Sequence, residues 1–320
     1  MKNIRNSLLL LLTAVIWGIA FVAQSAGMEY VGGFTFNCVR SLIGGAVLIP
    51  CIFLMRAMRA REAKQEIQSD AVTKKPVAQN HDTQSPVAQN PKTVLVGGVC
   101  CGLLLCVASN LQQQGIKYTT VGKAGFITAL YIVLVPILGL FFHRKVGKLV
   151  WVGVLFAVAG LYFLCISEQF TVGVGDLLVL LCAIVFSAHI LVIDYFAPMV
   201  DCVAMSCIQF FTCGILSGIP MLLFEQVSWE NLKGAAVPIL YAGVMSCGVA
   251  YTLQIIGQKN MNPTVASMIL SLESVVSVLA GLVILGQMLS GREMLGCVLM
   301  FVAVVLAQLP EDFLSRKGKI

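Results

Sequence analysis

Glu273 lies in the stretch SMILSLESVVSVLAGL, and it is the only acidic residue well inside a long apolar run. A carboxylate at that depth is costly in hydrocarbon unless it faces a bundle interior or a water-filled cavity, so it marks a candidate pathway position. Two roles fit it: a group that exchanges a proton or binds a substrate amine, or a structural acceptor of hydrogen bonds from a neighbouring helix. Arg40 is the opposite charge, well inside the second apolar run, with Asn37 one helical turn away. It suits a substrate carboxylate, or it snorkels to the headgroups. Trp17, Tyr131, His189, Tyr241 and Tyr251 bring aromatic faces with polar tips, and each either lines a cavity or is packed. Gln112 and Gln254, like Asn110 and Thr252, hold equivalent places in an internal repeat and suggest a pseudo-symmetric polar layer or helix-to-helix hydrogen bonds.

Other chemistries lack their parts. His189 has no second His or Cys at ligating spacing, and the 12 cysteines, such as Cys38, Cys106 and Cys213, lie largely in apolar runs as small packed side chains. No metal and no cofactor is therefore expected. The sequence contains no HExxH, GxSxG or Walker A motif, so it does not read as an enzyme, and any transport must draw on substrate or ion gradients.

These residues need a membrane bundle to position them. The chain is 58% hydrophobic and 11% charged, against roughly 25% charge in soluble domains. Ten apolar runs of about the length that crosses a bilayer can be drawn, at 6–26, 33–55, 94–114, 122–142, 147–166, 175–194, 202–224, 235–256, 264–286 and 292–309. The first run exceeds the usual core of a signal peptide and reads as a retained helix. With the N-terminus inside, 16 of the 21 Lys and Arg fall in inner flanks, which predicts that both termini are cytoplasmic. The basic excess is thus a topology signal, and no nucleic-acid partner is expected. Residues 56–92 are polar, repeat PVAQN, and read as a disordered cytoplasmic linker. Residues 311–320 are expected to form a cytoplasmic tail.

The two halves repeat. A gapless shift of 142 residues pairs Leu111 with Leu253, Gln112 with Gln254, Gly115 with Gly257, Lys117 with Lys259 and Gly139 with Gly281. Earlier in each half the shift is 169, pairing Ala14 with Ala183, Cys38 with Cys207 and Gly45 with Gly214, and one insertion in the linker accounts for the difference. Five helices per repeat is odd, so the second repeat enters the membrane from the opposite face. Inverted repeats are a plan of secondary transporters with a midplane site, although an old duplication without alternating access would leave the same trace.

AVIWGIAF in the first run, Arg40 in the second, TALYIVLVPILGL with its basic turn, GDLLVLLCAIVFSA, and SLESVVSVLAGLVILGQMLSGREMLGCVLM occur in an order that resembles the EamA-type carriers of the drug/metabolite transporter superfamily. The resemblance spans nearly the whole chain except the linker. It departs at Ser274 and Gln287, where a proline and an acidic residue are often found, and keeps a proline, Pro136, in the first half only. It implies an all-α integral membrane protein of ten helices around a central cavity, its first repeat at 1–55 and 93–168 and its second at 174–310. It also implies a carrier of amino acids or other small metabolites, often exported. The expected partners are that substrate, protons as a candidate coupling ion, and the lipid bilayer of a cell inner membrane. A monomer suffices for such a plan. The competing expectation is a membrane-embedded sensor or scaffold without net transport.

Overall fold

The computed structural model describes residues 2–73, 90–119, 121–141, 146–165, 173–285 and 290–309. Residues 74–89 of the expected linker, Gln287 and the tail 311–320 lie outside the described residues. Those described are helical and contain no strand. The helices are α1 (Lys2–Gly27), α2 (Gly33–Thr73), α3 (Pro91–Tyr118), α4 (Val121–Ala129), α5 (Tyr131–Phe141), α6 (Lys148–Cys165), α7 (Val174–Phe196) and α8 (Cys202–Phe224). They continue as α9 (Trp229–Gly234), α10 (Ala236–Leu240), a π-helical stretch Tyr241–Ala250, α11 (Tyr251–Gln258), α12 (Pro263–Leu270), α13 (Glu273–Leu285) and α14 (Gly291–Gln308).

Eight helical segments among the described residues are long and apolar enough to cross a membrane: Ile4–Gly27, Gly33–Met58, Pro91–Tyr118, Ala124–Phe141, Val174–Phe196, Cys202–Phe224, Ala236–Gln258 and Pro263–Ala280. The runs expected at 147–166 and 292–309 are helical as well, with shorter apolar stretches, Lys148–Phe163 and Met294–Leu306. Helices dominate because each backbone N–H and C=O must find its partner within the segment once water is excluded. Several starts are fixed by local side chains. Asn90 accepts the N–H of Lys92 ahead of Pro91, Asp201 accepts those of Val203 and Ala204, and Asn262 accepts that of Thr264 ahead of Pro263.

The segment expected to be disordered from 56 begins as helix, because α2 runs on to Thr73. Its sequence RAMRAREAKQEIQSDAVT is polar, but rich in Ala, Arg, Glu, Lys and Gln, which favour a helix whether or not they pack.

Two spans are broken near their middles. Leu130 separates α4 from α5, and Ser271 and Leu272 separate α12 from α13. Pro136 within α5 removes one backbone donor just beyond the first break. No proline follows the second, where serine hydroxyls bond to backbone instead: Ser271 to the carbonyl of Met268 at 2.7 Å, and Ser274 to that of Gly125 at 3.3 Å.

The bundle buries polar groups and exposes apolar ones. Phe53, Leu155, Leu222 and Val283 face outward, whereas Asn37, His189 and Gln209 are fully buried. That inversion of the usual soluble pattern suits a hydrocarbon solvent. Helices from the two halves pack on one another: α1 on α11 and α13, α7 on α3 and α4, α2 on α8, and α6 on α14. Small residues set the closest approaches. A Cβ added to Gly44 in α2 would lie 2.4 Å from the Cβ of Cys247 and 3.0 Å from the carbonyl of Gly243 in the π-helical stretch.

Candidate functional site

At the centre of the bundle lies a cavity of about 40 Å³. Of the residues singled out by type, Trp17, Arg40, Tyr131, His189, Tyr251, Gln254 and Glu273 all line it, as does Gln112. The volume is far below the roughly 300 Å³ or more typical of a small-molecule site and suits one or a few waters, so the bundle is contracted on its core.

The broken spans place the central pair. Tyr131 is the first residue of α5 and Glu273 the first of α13, so each begins a half-helix that points into the cavity. The Tyr131 hydroxyl donates to Glu273 Oε1 at 3.0 Å, with both groups buried. Because Glu273 lies in the first turn of α13, the positive end of that helix dipole also faces its carboxylate. Half-helix ends aimed at a buried charge are one of the few inexpensive ways to hold it in a bilayer.

An aromatic wall lies across the cavity. The Trp17 and Tyr251 rings stand 4.6 Å apart at 56°, and Phe210 and His189 meet the edges and faces of Tyr251 at 5.3 and 6.2 Å. His189 Nε2 lies 3.2 Å from Gln209 Oε1. Gln112 donates to Thr128 Oγ1 at 3.2 Å. The guanidinium of Arg40 sits 5.6 Å from the centre of the Phe36 ring. Five buried polar atoms of cavity residues have no hydrogen-bond partner among the described residues: Trp17 Nε1, Gln24 Oε1, Arg40 Nε, His189 Nδ1 and Gln254 Oε1. Buried polar groups are normally paired, so donors and acceptors converging on one cavity are the signature of a site that meets polar ligands. The site offers a cation, a carboxylate, aromatic faces and unspent hydrogen-bonding atoms.

Two expected members lie elsewhere. Asn37 turns from Arg40 to α3, where its amide donates to the Ser109 carbonyl and to Asn110 Oδ1, both at 3.0 Å. Tyr241 donates to the carbonyl of Ile16 at 3.2 Å and does not line the cavity. The polar layer expected from the repeat divides: Gln112 and Gln254 face the cavity, while Asn110 and Thr252 make helix-to-helix bonds, the latter to Ser206 at 2.9 Å. Residue types alone did not single out Gln24, Thr128, Phe186 or Ser246, which also line the cavity. The repeat carried a signal for one of them, because the 169 shift sets Phe186 at the place of Trp17.

Among the described residues, open crevices also lie beyond the cavity. One of about 490 Å³ lies where α1 ends and α2 begins, lined by Ser25, Met28 to Gly33, Gln114, Lys117 and Glu225. Another, of about 430 Å³, lies where α7 ends and α12 begins, lined by Asp194, Tyr195, Pro198 and Asn260 to Pro263.

The comparisons with known proteins bear on family and fold. The model of the EamA-like transporter family matches residues 5–166 and 173–309. An uncharacterized transporter of Archaeoglobus fulgidus is 28% identical over 309 residues, covering 96% of this chain and 87% of that one. A crystal structure of a protein 20% identical in sequence superimposes with a TM-score of 0.72 over 98% of this chain and 99% of its own, a likeness of fold alone. Family and relative both point to a transporter rather than an enzyme. This chain is a multi-pass membrane protein and belongs to the EamA-like transporter family.

Proposed function

We propose that the chain is a secondary transporter that moves a small zwitterionic metabolite, an amino acid or similar, across the cytoplasmic membrane by alternating access, most readily as an exporter. The observation that carries this reading is the convergence of Arg40, Glu273 and the Trp17–Tyr251 wall on one cavity between the two halves. Arg40 suits the substrate carboxylate through charge-assisted hydrogen bonds. Glu273 suits the ammonium group or a proton that competes with it, and Tyr131 holds that carboxylate between turns of the cycle.

Ten spanning helices in two inverted repeats supply the two-state element. The 142 shift that relates the halves carries the break at Leu130 onto Leu272, and Gln112 onto Gln254, and the 169 shift carries Trp17 onto Phe186. The same shifts relate the two crevices: Ser25 corresponds to Asp194, and Lys117 to Lys259 beside Asn260. Equivalent crevices on opposite faces, with a contracted cavity between them, are what rocking one half against the other would open in turn. The distribution of Lys and Arg supports both termini on the cytoplasmic side.

Counterflow in liposomes tests the substrate class. Vesicles holding the purified protein and preloaded with an unlabelled amino-acid mixture are expected to accumulate labelled amino acid transiently. Simple amines and simple carboxylates are expected to compete poorly, since each satisfies only one of the two charges. Competition by amines alone equal to that of amino acids would remove Arg40 from the reading.

A further inference from the structure

The start of α2 is capped by the opposite half of the molecule. Gly32, the residue before α2, has no side chain to accept the first free N–H groups of the helix. Glu225, the C-terminal cap of α8, fills that place. Its carboxylate accepts the N–H of Phe34 at 3.0 Å, the N–H of Thr35 at 2.7 Å and the Thr35 hydroxyl at 2.7 Å. A Cβ built on Gly32 would lie 2.1 Å from the Glu225 carboxyl carbon, so the carboxylate occupies the room a capping side chain would use.

The equivalent place in the second half is built differently. The 169 shift sets Asp201 at the position of Gly32, and Val203 and Ala204 at those of Phe34 and Thr35. There Asp201 caps its own helix, Oδ1 accepting the N–H of Val203 at 3.0 Å and of Ala204 at 3.1 Å. The same two donors are thus served locally at one face and across the halves at the other. A local Asp would satisfy α2 equally well, so capping alone does not account for the longer reach. What Glu225 adds is a tie between the end of α8 and the start of α2, at the rim of the larger crevice.

We propose that Glu225 is a positioning residue that latches this face: its hydrogen bonds hold the α8 and α2 ends together while the face is closed, and opening the face releases them to water. The inference rests on the alternating-access reading. Beneath the latch lies Gln113, fully buried, its side chain next to Gly33 and donating to the carbonyl of Gln24. It is a reporter of opening that does not line the cavity.

The test uses the full chain in liposomes carrying Gln113→Cys, treated with a membrane-impermeant maleimide, with modification at position 113 read by peptide mass spectrometry so that native cysteines stay in place. Glu225→Ala is expected to raise the labelling rate about tenfold, the loss of one to two net hydrogen bonds. Glu225→Ala combined with Gly32→Asp restores a cap within α2 but no tie to α8, and Gly32 lies outside the left-handed region, so it accepts a side chain there. Labelling that stays raised in the double variant supports the latch. Labelling that returns to the parent rate, or never rises in Glu225→Ala, overturns it and leaves Glu225 a cap only. Glu225→Gln, which retains an acceptor oxygen, is expected to lie between and serves if the alanine variant does not fold; labelling at the parent rate there, with Glu225→Ala unfolded, also overturns the latch. Labelling is read without substrate, so a parent protein that labels as expected but shows no counterflow would count against the transport reading and not against the latch.

Discussion

Tyr131 and Glu273 stand 142 residues apart, the shift that superimposes the two halves of the sequence, and the hydroxyl of one donates to the carboxylate of the other at 3.0 Å. Each is the first residue after a break in its span. The hydrogen bond therefore joins two positions that the 142 shift makes equivalent in sequence, with unlike chemistry on its two sides. Of the two equivalent positions, only that of the second half carries a carboxyl group.

Tyr131→Phe removes this donor and nothing else. Hydrogen bonds to charged groups contribute about 1.5–3 kcal/mol, so the account expects transport to fall about tenfold or more while the protein remains folded. The dependence of rate on pH is expected to change with it, since the hydroxyl bonds the group proposed to exchange the proton. Uptake measured between pH 5 and 9, a span of about that width around neutrality, would show both effects; an unaltered rate and profile would leave the bond structural.

Arg40→Gln is expected to raise KM for a zwitterion at least about tenfold, from loss of a charge-assisted pair. Transport of the corresponding amine without its carboxylate should be far less affected. Comparable loss for both substrates would place Arg40 in the scaffold, with its guanidinium serving Phe36 rather than a ligand.

Asn37 gives the contrasting case. Its bonds run to Ser109 and Asn110 in α3, and the repeat-equivalent pair Ser206 and Thr252 is bonded too. Asn37→Ala is expected to cost about 1–3 kcal/mol of stability, by leaving buried partners unpaired, and to lower the melting temperature in detergent. KM should stay within about twofold, since position 37 does not line the cavity.

Gly44→Val tests the close approach of α2 to the π-helical stretch. A side chain there meets Cys247 at 2.4 Å and the Gly243 backbone at 3.0 Å, so overpacking of about 1–3 kcal/mol or more is expected. At Gly173 an added side chain meets nothing within 4 Å among the described residues, so Gly173→Ala should show no overpacking loss.

Much of this was legible because the bilayer restricts the options. Apolar runs bounded by charge must become helices, and most of the residues proposed for the site, Asn37 and Tyr241 excepted, met at one cavity because a buried polar group has few places to go. Asn37 misled because a three-residue step leaves two side chains roughly 60° apart at 3.6 residues per turn, enough for Arg40 to face the centre while Asn37 faces α3. The Tyr131–Glu273 bond was present in the 142 shift but invisible to a search for like residues, since a phenol and a carboxylate are complementary rather than similar. The extension of α2 to Thr73 was hidden by its charge, which signals solvent exposure without excluding a helix. The breaks at Leu130 and Ser271 arise from backbone choices that composition does not display.

The central claim is that Glu273 couples a proton to a zwitterionic substrate. Its most direct test is uptake of labelled amino acids by the purified protein in liposomes, with and without an imposed pH gradient, beside Glu273→Gln shown to be folded. The account predicts saturable uptake that the gradient stimulates in the parent protein, and a variant whose residual transport is indifferent to the gradient. Full transport with the same response to the gradient in Glu273→Gln would contradict it.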